Sequence, residues 1–349
     1  MKTLLVLGAS GEMGRRVVRL ARSLLPGVRV VEVSRHPDPG DPDRRRVDIH
    51  DHGSLRRALE DVDAVINAVG PFDYDPTPPV TACIESGCQY IDLAETAGFI
   101  DAVERAAHDR RAGGRRACVV SGCSTIPGLV QVLARQWADR DDVTSMRILL
   151  SMGSANPVTP TLLFSLLRPL GSRAPDGSRY FARLVRKTPP HASPRLYGRF
   201  PSSFDATGIR LGSRVLPATL HAGLDRDVLN RVLWLSARVL PALSSRLLMR
   251  LCRLAQPFMS PVRALGTPVG ILVIEALGER GGLVDEIVVR ADHEGLDIPA
   301  LPSVWAVRRL LVEEDLPDGA MSLDRLFTPR EAASWLRQAG YAVHGITGE

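Results

Sequence analysis

Apolar positions along this chain follow two rhythms. Over the first 140 residues, short and nearly continuous apolar runs alternate with stretches where apolar side chains recur every three or four positions. The runs at 2–7, 28–33, 63–68, 90–93 and 117–121 read as strands of a buried parallel sheet, where both faces are covered. A shorter run at 46–49 reads as a third strand. The intervening stretches at 15–25, 54–59, 76–86, 97–111 and 129–138 carry helical spacing. Six strand signals alternating with helices predict a doubly wound α/β unit.

The first strand runs into Gly8-Ala9-Ser10-Gly11-Glu12-Met13-Gly14, and a helix follows at once. Strand, glycine turn and helix form the context in which such a motif binds a dinucleotide. Gly8 permits the tight turn, Gly11 lets the backbone approach a pyrophosphate, and Gly14 lets helix and strand pack closely. Ser10 and Met13 belong to the same cradle. The N–H groups at the helix start face the phosphates.

The second strand ends in Ser34-Arg35. A site for NAD usually places an acid at this strand end to hold the ribose 2′-hydroxyl, whereas an arginine nearby accommodates a 2′-phosphate. Glu32 stands two residues early. Ser34 and Arg35 therefore predict NADP (NADPH), with Asp48 near the adenine. In doubly wound sheets ligands lie outside the carboxyl ends of the strands. That places Ala68, Gly70, Pro71 and Gly122 at the nicotinamide end. Asp92 is the first candidate for a proton relay or substrate contact, because a carboxylate on a buried strand is costly without a role; capping neighbouring backbone N–H groups is the competing role. Glu95, in the loop beyond, is the second candidate. Cys123 lacks a histidine partner in sequence and reads as a buried filler.

After residue 141 the pattern is less regular. Strands are predicted at 143–152, 269–277 and 283–290, the last two joined by a glycine-rich hairpin turn. Helices are predicted at 162–167 and 302–311, a short one around Arg183, Arg186 and Lys187, and one starting at Thr328-Pro329-Arg330-Glu331 with its hydroxyl cap and early proline. The expected architecture is an N-terminal Rossmann sheet (1–140), a mixed α+β substrate and dimerisation domain (141–297), and C-terminal helices (298–349) returning to the first domain. From 228 to 254 the spacing is helical, broken at Pro241, and Arg231, Arg238, Arg246, Arg250 and Arg253 share about a third of the helical circle. Packing on the domain or on a second subunit is the plainer reading of this segment; weak contact with a membrane surface is the sharper one.

Charge and residue usage narrow the chemistry. The 44 basic residues face 39 acidic ones, a mild excess without an aromatic-interleaved basic patch, so no nucleic acid partner is expected. Lys2 and Lys187 are the only lysines, which leaves little scope for Schiff-base chemistry. Arginines dominate, and Arg199, Arg210 or Arg214 could clamp a carboxylate-bearing substrate. The five cysteines show no paired spacing, and the first strand begins at Lys2, so reduced thiols in a cytoplasmic protein are expected. His50, His52, His191, His221 and His293 have no metal-ligand spacing, and no metal is predicted. The uncharged runs at 117–134 and 148–167 contain glycine, proline and hydroxyl residues and do not read as membrane spans. Tyr74, Tyr90, Tyr180 and Tyr197 are available acids, but none begins a Tyr-x-x-x-Lys run, which argues against short-chain dehydrogenase chemistry.

Several segments together resemble the saccharopine dehydrogenase-like NADP-dependent oxidoreductases: the glycine loop at 8–14, Asn67-Ala68-Val69-Gly70-Pro71-Phe72, Gly87-Cys88-Gln89-Tyr90-Ile91-Asp92-Leu93-Ala94-Glu95, and the loop from Gly122 to Gly128. The likeness is good over residues 1–130 and thin beyond. It implies hydride transfer to or from a C=N bond, or a related C=C bond, of a small metabolite, in a protein expected to be a homodimer. The alternative is a non-catalytic NADP-binding regulator, peripheral to a membrane.

Overall fold

The first strand, β1 (Lys2–Leu7), is buried along its length after Lys2 and pairs in parallel with β2 (Val28–Ser34) and β4 (Ala64–Asn67). This computed structural model describes residues 1–34, 40–109, 117–190, 192–312 and 319–347. Arg35, Gly113-Gly114 and His191 lie outside the described residues. Between the strands run α1 (Glu12–Leu24), β3 (Arg44–Arg46), α2 (His52–Ala58), α3 (Thr77–Ser86), β5 (Gln89–Asp92), α4 (Ala97–Asp109) and β6 (Cys118–Val120). Helix ends follow local chemistry. Asp51 accepts a hydrogen bond from Gly53 N at the start of α2. Gly87 closes α3 in the left-handed conformation at φ 71°. Leu5, Leu7, Val31, Val65 and Tyr90 from the sheet pack with Leu55, Val80, Phe99 and Val103 from the helices. The third strand lies at 44–46 rather than 46–49. It is an edge strand of three arginines, and Arg44 and Arg45 pair with Asp41 and Asp61.

Beyond β6 the chain turns through a π-helical stretch, Thr125–Val130, into α5 (Gln131–Ala134). It then forms β7 (Ser145–Met152), α6 (Pro160–Leu167), β8 (Leu184–Lys187), β9 (Arg195–Phe200), α7 (Phe204–Thr207), β10 (Ile209–Leu211), β11 (Arg214–Leu216) and β12 (Ala218–Leu224). Next come α8 (Asp227–Ser236), α9 (Ser245–Ala255), α10 (Met259–Ala264), β13 (Gly270–Leu277) and β14 (Leu283–Ala291), followed by α11 (Leu301–Val312), β15 (Gly319–Met321), α12 (Pro329–Gln338) and β16 (Ala342–His344).

These elements make two units, Met1–Val132 with Asp297–Thr328, and Leu133–Leu296 with Pro329–Glu349. The first holds a seven-stranded parallel sheet in the order β15-β6-β5-β4-β1-β2-β3, a Rossmann arrangement whose strand order reverses between β1 and β4. Its seventh strand, β15, comes from the C-terminal part of the chain. The second holds a mixed seven-stranded sheet, β16-β14-β13-β7-β12-β9-β8, in which only β7 and β12 run parallel.

Two expectations differ from this. The segment 298–349 does not return to the first sheet as a whole. Residues up to Thr328 do, while α12 and β16 join the second unit, where β16 extends the sheet beside β14. Residues 184–187 form a strand, not a helix. Leu184 packs toward α8, and Arg186 pairs with Asp227 on that helix. The strands β8 and β9 escaped the sequence pattern because charged and apolar side chains mix along them. Gly198 lies directly beneath the Phe181 ring, and an added Cβ would sit 2.5 Å from it.

Candidate nucleotide site

The carboxyl end of the first sheet carries two glycine turns of the same design. In the first, Gly8 adopts φ 76° and an added Cβ would meet Ala68 O at 3.0 Å. A Cβ on Gly14 would fall 2.1 Å from Gly8 O, so α1 can approach the turn only with glycine there. Gly11 is different. Its N–H donates to Gly8 O (2.9 Å), and an added Cβ would meet Gly8 O at 3.2 Å and nothing else within 4 Å. Ser10 and Gly11 are exposed, and Gly11 opens α1 with no side-chain cap. The helix-start N–H groups are therefore free to meet an anion. Glu12 stands at the lip of this cradle. Burial would raise its pKa, but Arg16 and Arg15 hydrogen-bond it and hold it below the ordinary value. Arg15 also donates to Ser10 O (2.6 Å). Arg16 also pairs with Asp297 (2.7 Å), so the two guanidiniums at the lip face two carboxylates and the backbone N–H groups are what remain for an anion. The residues present fit a dinucleotide pyrophosphate.

At the end of β2, Glu32 pairs with Arg22 at 2.9 Å. Ser34 ends β2 directly beside Arg46 of β3. Arg46 is exposed and forms no ion pair among the described residues. The sequence reading overlooked it because the third strand was placed too late; the signal was the Arg44-Arg45-Arg46 triplet. Asp48 lies past that strand, and its carboxylate accepts from His50 N (3.0 Å), holding the turn into α2.

At the ends of β4 and β5 lies a buried polar layer. Asn67 Nδ2 donates to Tyr74 Oη (2.8 Å) and Tyr90 Oη (2.9 Å), and Asn67 Oδ1 accepts from Val69 N (3.2 Å). Burial pushes both tyrosine pKa values up, so neither hydroxyl is a ready acid. Ala68 is buried, while Gly70 and Pro71 are exposed at the rim. Asp92, fully buried beside Asn67, accepts from Ala94 N and Gly122 N, each 2.9 Å, and from Ser121 Oγ at 2.7 Å. Burial raises its pKa to about 6 against these hydrogen bonds. Its carboxylate braces β5 against the β6 loop and does not reach solvent.

The second glycine turn follows β6. Gly122 has φ 74°, and a Cβ on Gly128 would lie 2.6 Å from Gly122 O, the relation Gly14 bears to Gly8. Here the turn is closed. A Cβ on Gly122 would meet Ile100 and Pro127, and one on Gly128 would meet Leu323 at 3.0 Å. Gly122, Cys123 and Ser124 are buried. Cys123 is an inert thiol whose pKa burial drives upward. Ser124 Oγ donates to Glu95 Oε1 at 2.5 Å. Glu95 is exposed to solvent, yet the protein mass around its carboxyl raises the pKa, opposed by Ser124.

Two of the arginines considered for a carboxylate, Arg199 and Arg214, are engaged by the protein itself. Arg199 pairs with Asp176 and Asp205. Arg214 donates to Arg140 O and Val143 O. All five cysteines are free and buried. No group of three or more metal-binding side chains occurs among the described residues.

Residues 4–118 match the family model described as the saccharopine dehydrogenase NADP binding domain. The probable mitochondrial saccharopine dehydrogenase-like oxidoreductase of Arabidopsis thaliana is 32% identical over 145 residues, 40% of this chain and 31% of the relative. The chain thus spans about a third of the length of that relative. Among solved structures, apo saccharopine dehydrogenase (L-Glu forming) from Saccharomyces cerevisiae aligns over 99% of this chain and 100% of its own, with a TM-score of 0.65 at 12% identity, a likeness of fold. The open cradle and the matched domain agree on NADP(H) as cofactor. The first unit thus carries a domain that matches the saccharopine dehydrogenase NADP binding domain over residues 4–118.

Proposed function

We propose that this chain is an NADP-dependent oxidoreductase that moves a hydride to or from a C=N bond, or a related C=C bond, of a small metabolite. The observation that carries the reading is Glu95, a carboxyl of raised pKa that accepts from Ser124 Oγ (2.5 Å) just beyond β5, at the carboxyl end of the sheet that also carries the open glycine cradle. When bound, NADPH supplies the hydride. Gly8 to Gly14 hold the pyrophosphate and Ser34 with Arg46 the 2′-phosphate. Gly70 and Pro71 line the rim beside the nicotinamide end. Reduction then requires one proton at the substrate nitrogen or carbon. Glu95, more fully protonated near neutral pH than an ordinary glutamate, donates it. Ser124 orients the Glu95 carboxyl through its hydroxyl, and Asp92 positions the loops that carry both.

Purified protein assayed for NADPH oxidation against a panel of imines and activated alkenes tests this. Turnover is expected, and Glu95→Gln is expected to lower kcat by roughly 100-fold with NADPH affinity unchanged. Tight NADPH binding without turnover on any member of the panel would instead favour the non-catalytic regulator.

A further inference from the structure

The helical lobe of the second unit exposes an apolar surface that its own fold leaves uncovered. Nine of the fourteen exposed large hydrophobic side chains among the described residues fall between Val228 and Leu265. The same stretch holds six arginines and no acidic residue. Helix α6, beneath it in sequence composition of leucine and phenylalanine, buries none of its residues completely.

The arrangement is ordered, not scattered. On α9, Leu248 and Cys252 form the buried stripe. Leu247, Leu251 and Leu254 repeat with helical spacing on a second stripe and are 43–69% exposed. Arg246, Arg250 and Arg253 repeat with the same spacing on a third, also exposed. Helix α8 has the same plan: Asn230 and Leu233 are buried, Val228, Val232 and Leu235 are exposed, and Arg231 lies among them. Each helix therefore carries an inward stripe, an exposed apolar stripe and exposed arginine. Arg238 lies over the Trp234 ring at 3.8 Å, so its charge stays at the boundary between apolar and polar surface.

We infer that α8 and α9 dock on an anionic lipid bilayer surface, with the leucine and valine stripes entering the headgroup boundary and the arginines meeting lipid phosphates and carboxylates. Charge selects this occupant. A two-fold dimer through the same patch would oppose arginine to arginine with no acid in the stretch to offset it. A bilayer rich in acidic lipid offers the complementary sign together with an apolar boundary. No helix among the described residues is long and apolar enough to cross a membrane, so the lobe lies on the surface. This inference is independent of the hydride chemistry proposed above.

Vesicle co-sedimentation of the full chain tests it. Vesicles of phosphatidylcholine with roughly one-third phosphatidylserine are expected to pellet at least ~10-fold more protein than phosphatidylcholine alone, with the excess lost at high salt. Combined Arg246→Gln, Arg250→Gln and Arg253→Gln should remove that excess. Combined Leu247→Ser, Leu251→Ser and Leu254→Ser should abolish binding to both vesicles. All six side chains are exposed, so circular dichroism should show unchanged folding; if either triple variant melts early, the corresponding single substitutions are used and must each lower binding. No pelleting with acidic vesicles overturns the inference, as does pelleting that neither set of substitutions alters. A concentration-dependent dimer that the leucine variant disrupts, without vesicle binding, would assign the surface to a second copy of the chain.

Discussion

The two glycine turns at the carboxyl end of the first sheet use one backbone solution for opposite ends. Both place a glycine in the left-handed region just after a strand, and both place a second glycine six residues on, against the first one's carbonyl. The turn after β1 stays open: Ser10 and Gly11 are exposed and the helix start lacks a side-chain cap. The turn after β6 is filled by Ile100, Pro127 and Leu323, and its polar groups answer to Asp92 and Glu95. The same geometry therefore leaves backbone N–H groups open to an anion only where the surrounding side chains leave the turn uncovered. Where the protein's own carboxylates take the polar groups, it makes a brace.

The harshest way to break this comparison is to fill the contacts the turns share. Gly14→Ala drives a Cβ against Gly8 O and should cost at least ~3 kcal/mol of stability, seen as a large fall in Tm, with Gly128→Ala close behind. If either variant melts like the wild type, the turns do not depend on these close approaches.

Asp92 separates brace from acid. Asp92→Ala leaves two N–H groups and a hydroxyl without their acceptor and should cost roughly 3 kcal/mol. Asp92→Asn keeps Oδ1 as acceptor for Ala94 N and Gly122 N, and its amide can donate to Ser121 Oγ, so it should fold. The two should also differ in pH dependence. Asp92 has a folded pKa of about 6, above the ordinary value of 3.8. Between these values the folded protein binds more protons than the unfolded chain, so stability falls as pH rises through the window. That decline, up to roughly 3 kcal/mol for a fully buried group, should be absent in Asp92→Asn. Urea titrations at several pH values would show it, and identical pH profiles for the two proteins would contradict the assignment.

A smaller effect sharpens the open side. Arg46→Gln should reduce NADPH affinity about 10-fold while leaving NADH binding unchanged. Equal losses for both cofactors would place Arg46 away from the 2′-phosphate.

Most of the first unit could be read in the sequence because its determinants are local. Buried parallel strands are apolar runs, and the glycine spacing encodes close approaches that any other residue would block. What escaped depended on neighbours distant in sequence. The β3 register follows from pairing with β2, and it brings Arg46 beside Ser34. Glu95 is a candidate from its place in the loop after β5, but nothing local shows that Ser124, 29 positions on, holds its carboxyl. Asp92 is legible as an acid on a buried strand, but only the β6 loop shows the backbone N–H groups and the hydroxyl it accepts from. In the second unit the short strands β8 and β9 alternate weakly, and their identity comes from pairing. The three-residue β16 carries no local sign of the sheet it joins.

Gly11 is the position at which the open turn can be closed without disturbing the fold. Its φ of −75° suits any residue, and a Cβ would meet only Gly8 O. Titrating wild type and Gly11→Ala with NADPH, alongside their melting temperatures, tests the central claim most directly. The account predicts a loss of affinity of at least ~10-fold with Tm nearly unchanged. Equal NADPH affinity in the two proteins would mean that the nucleotide phosphates are not held at this turn.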